Sequence, residues 1–204
     1  MVALINDPWL EEKIIAERQA NGTDRFDEVW EGVYIMTPMA NNEHQKLATA
    51  MSRVLYEVIV ESESGDVFAG TNVSDRRDDW KQNYRCPDVA VYLNDTHAEN
   101  RDTHWYGGPD FAVEIISPND RAREKLEFYA KVNTRELLIV DRDPWALKLY
   151  RLQDKKLVLA GKSTLDDAAV LSSEVVPLSW QLILGDKRPK IEVSHSDGKQ
   201  RWEI

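Results

Sequence analysis

A chain of 204 residues, 42% of them hydrophobic, is long enough to bury the core of one α/β domain. It contains no apolar run near the roughly 20 residues that a membrane span requires, and its single cysteine, Cys86, excludes an internal disulfide and a cysteine-built zinc site. The formal net charge of −10 weighs against a surface that grips a polyanion everywhere, though a local basic groove stays open.

The elements follow in chain order. Pro8 to Ala20 reads as a helix, capped by Asp7 and stopped near Gly22. Val29 to Met36 reads as a hairpin that turns at Gly32 and ends at Thr37-Pro38. Leu47, Met51, Leu55, Val58 and Ile59 recur at helical spacing and predict a long helix from about Asn42 to Glu61, with Gly65 as its stop. Strands are expected at Val67–Val73, Val89–Leu93 and Phe111–Ile116, the last two apolar throughout, as in strands buried on both faces. Ser117-Pro118-Asn119 breaks the chain before a helix from Asp120 to Val132. The strand Leu137–Val140 follows and ends at Asp141. Two hairpins close the chain: Ala146–Leu152 with Leu157–Ala160, and Ile191–Ile204 around Asp197-Gly198. The order predicts a mixed α/β sheet with helices on its faces. The whole of 1–204 is expected to be one domain, with a core of about 24–160 and a C-terminal hairpin extension of about 174–204.

Chemistry concentrates on a few side chains. Asp88 follows Pro87 at the start of an apolar strand, where either a turn aspartate or a cation ligand fits. Glu114 lies inside Phe111-Ala112-Val113-Glu114-Ile115-Ile116, where a carboxylate suggests a cation or a base beside it, or else a structural ion pair or an edge strand. Two such carboxylates on neighbouring strands make a hard oxygen site suited to magnesium or manganese. Lys125 and Tyr129 are four residues apart on the following helix and share a face. Lys125 could reach back over the end of the Glu114 strand, or it is a solvated helix lysine. His44 aligns with Leu47 and Met51, as a core histidine or as a phosphate or second-layer contact. Glu31, beside Gly32, is either a third carboxylate of the site or a plain hairpin glutamate. Two basic neighbourhoods flank these groups: Arg76, Arg77, Lys81 and Arg85, then Arg121, Arg123, Lys125, Lys131 and Arg135. Each is either a solvated surface or part of a groove. No Gly-rich phosphate loop, nucleophile elbow or His-Glu-x-x-His motif is present.

From about Glu28 to Arg151 the chain resembles the bacterial Uma-two-type restriction-endonuclease family, a branch of the PD-(D/E)XK nuclease superfamily. The resemblance rests on Glu31-Gly32-Val33-Tyr34-Ile35-Met36-Thr37-Pro38, His44, and Arg85-Cys86-Pro87-Asp88-Val89-Ala90-Val91-Tyr92. It continues through Gly108-Pro109-Asp110-Phe111-Ala112-Val113-Glu114-Ile115-Ile116-Ser117-Pro118, Lys125-Leu126-Glu127-Phe128-Tyr129 and Arg135-Glu136-Leu137-Leu138-Ile139-Val140-Asp141. It implies a restriction-endonuclease-like core with an N-terminal helix and extra hairpins. It further implies magnesium-dependent hydrolysis of DNA phosphodiesters, with Asp88 and Glu114 as metal ligands. The superfamily's lysine belongs two positions after the acidic residue, where this chain has Ile116; the resemblance moves that role to Lys125. Arg76, Arg85 and Arg121 are candidates for phosphate contacts, with His44 and Tyr129 as further nucleic-acid contacts. A homodimer in the reducing cytoplasm fits, since cutting two strands gains from two-fold symmetry. The competing readings are a non-catalytic nucleic-acid-binding or oligomeric scaffold on the same fold, and an unrelated enzyme acting on a small phosphorylated molecule with the same metal site.

Overall fold

The computed structural model describes residues 8–116 and 122–204. Asp7, the Ser117-Pro118-Asn119 break, Asp120 and Arg121 lie outside the described residues.

Helix α1 (Pro8–Ala20) ends as its sequence predicts. Gly22 takes a φ of +64°, and the amides of Gly22 and Thr23 donate back to the carbonyls of Gln19 and Arg18. Strands β1 (Glu28–Trp30) and β2 (Val33–Ile35) form the expected hairpin. Its two-residue turn puts Glu31 at φ 47° and Gly32 at φ 84°, the left-handed pair that matches the twist of such a hairpin. Helix α2 (Asn42–Leu55) is capped by Asn41, whose side chain accepts the His44 amide at 2.9 Å. A wider π-type stretch, Tyr56–Val60, extends it.

Two expectations fail next. The helix is stopped by Glu63 in the left-handed region (φ 56°), and the Ser64 amide donates to the Ile59 carbonyl. Gly65 instead opens strand β3 (Gly65–Phe68), where a Cβ would stand 2.3 Å from the Tyr92 carbonyl oxygen. The expected Val67–Val73 strand is two strands, because Gly70 (φ +73°) breaks it before β4 (Val73–Ser74). Strands β5 (Tyr84–Arg85), β6 (Val89–Leu93), β7 (Glu99–Asn100), β8 (Trp105–Tyr106) and β9 (Phe111–Ile116) follow. After a 3₁₀ turn, Ala122–Lys125, comes helix α3 (Leu126–Lys131). The remainder is β10 (Glu136–Arg142), β11 (Trp145–Gln153), β12 (Lys156–Ser163), β13 (Leu171–Ser172), β14 (Leu178–Ile183), β15 (Lys190–His195) and β16 (Arg201–Glu203). Asp141 therefore lies inside β10 and does not end it.

The central sheet has the order β12-β11-β10-β9-β6-β3, with β9 and β10 parallel and the other neighbours antiparallel. One face takes Leu47, Met51 and Leu55 of α2 against Val89, Val113, Ile115, Leu138 and Val140. The other takes Phe128, Tyr129 and Val132 against Ala112, Ile116, Leu137 and Ile139. Alternation along β9 thus sends Glu114 to the α3 face. The C-terminal segment is more than a hairpin. It is a four-stranded sheet, β13-β14-β15-β16, whose Leu178, Trp180, Leu182, Ile191 and Val193 belong to the α2-side core. Trp180 stacks on Phe111 with ring centres 5.0 Å apart.

Candidate metal and catalytic centre

Register builds the site. Val89 pairs with Val113 across antiparallel strands, so Asp88, one residue earlier, faces Glu114. The Ile115 amide donates to Asp88 Oδ2 at 2.7 Å, which fixes that carboxylate at the strand entrance. His44 Nε2, from the first turn of α2, lies 3.2 Å from the same oxygen. His44 thus belongs beside Asp88.

Glu114 is 4% exposed, and both its oxygens accept hydrogen bonds. Lys125 Nζ donates to its Oε1 at 3.0 Å and to its Oε2 at 3.1 Å. Tyr129 Oη donates to Oε1 at 2.5 Å. The 3₁₀ turn and α3 place this lysine and tyrosine over the strand that carries the acid, as their four-residue spacing suggests. Tyr129 is buried against Glu114, which leaves it no open ring face for a base.

A third carboxylate completes the group, and it is Glu28. Its Oε1 lies 2.8 Å from Lys125 Nζ and accepts the Cys86 amide at 2.9 Å, while its Oε2 accepts the Trp30 indole N–H at 2.7 Å. The sequence offered Glu31 for this role. Glu31 instead occupies the exposed turn, where its partners are Arg76, Asn83 and Lys131, apart from Glu114. The available signal for Glu28 was a shared strand face with Trp30 in a short hairpin, which says nothing about a partner on a distant helix.

One ammonium therefore sits between two buried carboxylates, with Asp88 at the rim. Burial is the main force on Glu114 and pushes its pKa up to about 8. Lys125 opposes the shift, Asp88 and Glu28 add to it, and the Tyr129 hydroxyl opposes it. Burial, then the charges of Glu114 and Glu28, hold the Tyr129 hydroxyl well above its ordinary range. Burial also raises the Cys86 thiol, so it stays protonated and unreactive.

The other candidate cations are placed elsewhere. Arg85 is buried between the rings of Trp30 (4.5 Å) and Phe128 (4.3 Å) and donates to the Val29 carbonyl and the Asn83 side chain. Burial lowers its pKa, and no face remains for a phosphate. It braces the hairpin that carries Glu28. Arg76 is half-buried and paired with Asp79 and Glu31. Arg121 lies outside the described residues.

Among the described residues, no three His, Cys, Asp or Glu side chains converge into a ready-made metal cage. Magnesium needs none, because it is commonly held by one or two carboxylates and keeps its waters. The donors here are carboxylate oxygens, which favour magnesium or manganese over softer metals. A divalent cation would take the place of the proton that burial favours on Glu114. The residues present fit such an ion.

A family model described as "Uma2: Putative restriction endonuclease" matches residues 15–185 of the chain. Among solved structures, the chain is similar to a crystal structure of a "putative nuclease belonging to DUF820" from Anabaena variabilis ATCC 29413. The two are 18% identical, with a TM-score of 0.56, over 72% of this chain and 80% of that one. At that identity the likeness concerns the fold alone. No curated protein matches the chain.

Proposed function

The chain belongs to the Uma2 family of restriction-endonuclease type, and on that premise we propose that it is a metal-dependent endonuclease that hydrolyses DNA phosphodiester bonds. The observation that carries this reading is Lys125, bonded through one ammonium to both oxygens of Glu114. The superfamily lysine is absent from its usual slot at Ile116, and the 3₁₀ turn before α3 brings a lysine to the same carboxylate.

Asp88 and Glu114 would hold magnesium or manganese. When bound, that ion would supply Lewis acidity at the scissile phosphate and lower the pKa of an attacking water. The chain's own groups do the rest. His44 and the Ile115 amide orient Asp88. Tyr129 fixes one oxygen of Glu114 and leaves the carboxylate a single orientation. Glu28 is a positioning residue that holds Lys125 from its other side. Lys125, released in part toward substrate, would stabilise the negative charge that develops on phosphorus. A homodimer in the cytoplasm is part of the same proposal: two-fold symmetry suits two-strand cleavage, and a reducing compartment suits a lone buried thiol.

One observation favours the competing reading of a non-catalytic scaffold. Lys125 already neutralises part of Glu28 and Glu114, as a purely structural ion group would. Supercoiled plasmid separates the two. Magnesium-dependent nicking should fall by about 100-fold or more in Asp88→Asn and in Glu114→Gln, with melting temperatures near wild type. Undiminished nicking by both variants would end the assignment to this centre, and a wild type that never nicks would end the nuclease reading.

A further inference from the structure

The catalytic face of the sheet is flanked unequally. On one side, Lys131 and Arg76 meet Asp75, Glu31 and Asp79, so two cations face three carboxylates. On the other side, Arg123 and Lys148 meet one carboxylate, Asp141. Register puts this second group in line with the site. Lys148 pairs with Ile139, and Ile139 pairs with Glu114, so lysine and glutamate stand in one row across three strands and on one face. Two strand spacings put them roughly 10 Å apart. Asp141 pairs with Ile116, two residues beyond Glu114 along β9, on that same face. Arg123 lies on the 3₁₀ turn that also delivers Lys125.

Asp141 is an anchor. Its side chain is 5% exposed, and its Oδ2 accepts both from Arg123 Nη2 and from Lys148 Nζ, the latter at 3.1 Å. Its Oδ1 accepts the Asp143 amide. One buried carboxylate oxygen therefore holds two cations at a fixed place, with one positive charge in excess. Arg123 is 53% exposed, so its fork remains open to solvent. In a chain of net charge −10, a cation pair with one positive charge in excess beside the acidic centre is where a polyanion finds attraction.

We propose that Arg123 and Lys148, anchored by Asp141, are a phosphate seat that holds the DNA backbone next to the scissile bond. The inference rests on the nuclease reading and names where that substrate lies. Neither residue touches the Glu28–Lys125–Glu114 group, so binding can be read without turnover. In the Glu114→Gln background with magnesium, a labelled DNA duplex is titrated by fluorescence anisotropy over a range of salt. Arg123→Gln and Lys148→Gln should each weaken binding about 3- to 10-fold at 0.1 M salt and reduce the slope of log affinity against log salt by about 1. Arg123→Lys should keep the slope, which separates lost charge from a disturbed turn. Lys199→Gln, on a remote exposed hairpin, should match the parent. Unchanged affinity and slope in both Gln variants overturn the seat, as does a parent that binds no duplex. Equal weakening by Lys199→Gln also overturns it, since the effect would then be bulk charge. If duplex binding behaves as expected but wild type never cuts, the seat stands and the nuclease reading falls.

Discussion

Lys125 sits between two buried carboxyl groups, and the burial of Glu114 has a consequence of measurable sign. Glu114 keeps its proton to about pH 8 in the folded chain, against an ordinary value of 4.5. Between those values the folded state binds a proton that the unfolded chain releases, so stability declines as pH rises through that window. Below about 4.5 the penalty is absent, and above about 8 it is complete and constant. Glu114→Gln has no such proton. Urea unfolding at pH 5, 6.5 and 8 should show wild type losing stability relative to the glutamine variant as pH rises. Parallel curves would refute the assignment. Lys125→Met acts oppositely: it strands both glutamates without a cation and should cost about 3 kcal/mol at pH 8 and less at pH 5. Asp88, Glu114 and Lys125 were legible in the sequence for local reasons. One begins an apolar strand, one interrupts an apolar strand, and one shares a helical face with Tyr129. Glu28 was not, because its meaning comes from Lys125 and the Cys86 amide, which only the tertiary fold brings to it.

At the scale of elements, the long apolar strands were readable and the short ones were not. Strands β6 and β9 carry their burial in their composition, and their ends match expectation. Strands β4, β5, β7 and β8 have two residues each, too few for any period to exist. Gly65 misled because glycine serves both helix ends and close strand approaches, and only the Tyr92 carbonyl decides between them. Strand β14 did carry a signal, Leu178, Trp180 and Leu182 on alternate positions, and those residues turn out to roof the α2 side of the sheet. That roof makes the C-terminal strands part of the support for β9, since Trp180 lies flat against Phe111 at its start. Trp180→Ala should therefore cost about 3–5 kcal/mol in chemical denaturation. A chain ended after Ser163 should lose cooperative unfolding altogether. A sharp, wild-type-like melt of that truncation would show that the C-terminal sheet is dispensable.

The whole molecule carries −10, and the candidate centre sets Glu28 and Glu114 against a single lysine, with Asp88 at its rim. Duplex DNA approaching that centre meets repulsion first from the net charge and then from the site itself. A divalent ion would thus serve binding as well as chemistry, by cancelling the local excess before a phosphate arrives. The consequence runs against the usual expectation for a substituted active site. Asp88 is the carboxylate to change, because its side chain is 18% exposed and closest to solvent. Asp88→Asn should bind duplex more tightly than wild type when divalent ions are chelated, by about 3- to 10-fold at low salt, where a unit charge a few ångströms from a phosphate is only partly screened. With millimolar magnesium the gap should close, since wild type then gains the neutralising ion while the variant has less need of it and holds it more weakly. Anisotropy titrations of one labelled duplex, in EDTA and in magnesium, measure both effects. Equal affinities of the two proteins in EDTA would mean that the carboxylate centre does not face the nucleic acid, and the site would have to be sought elsewhere on the sheet.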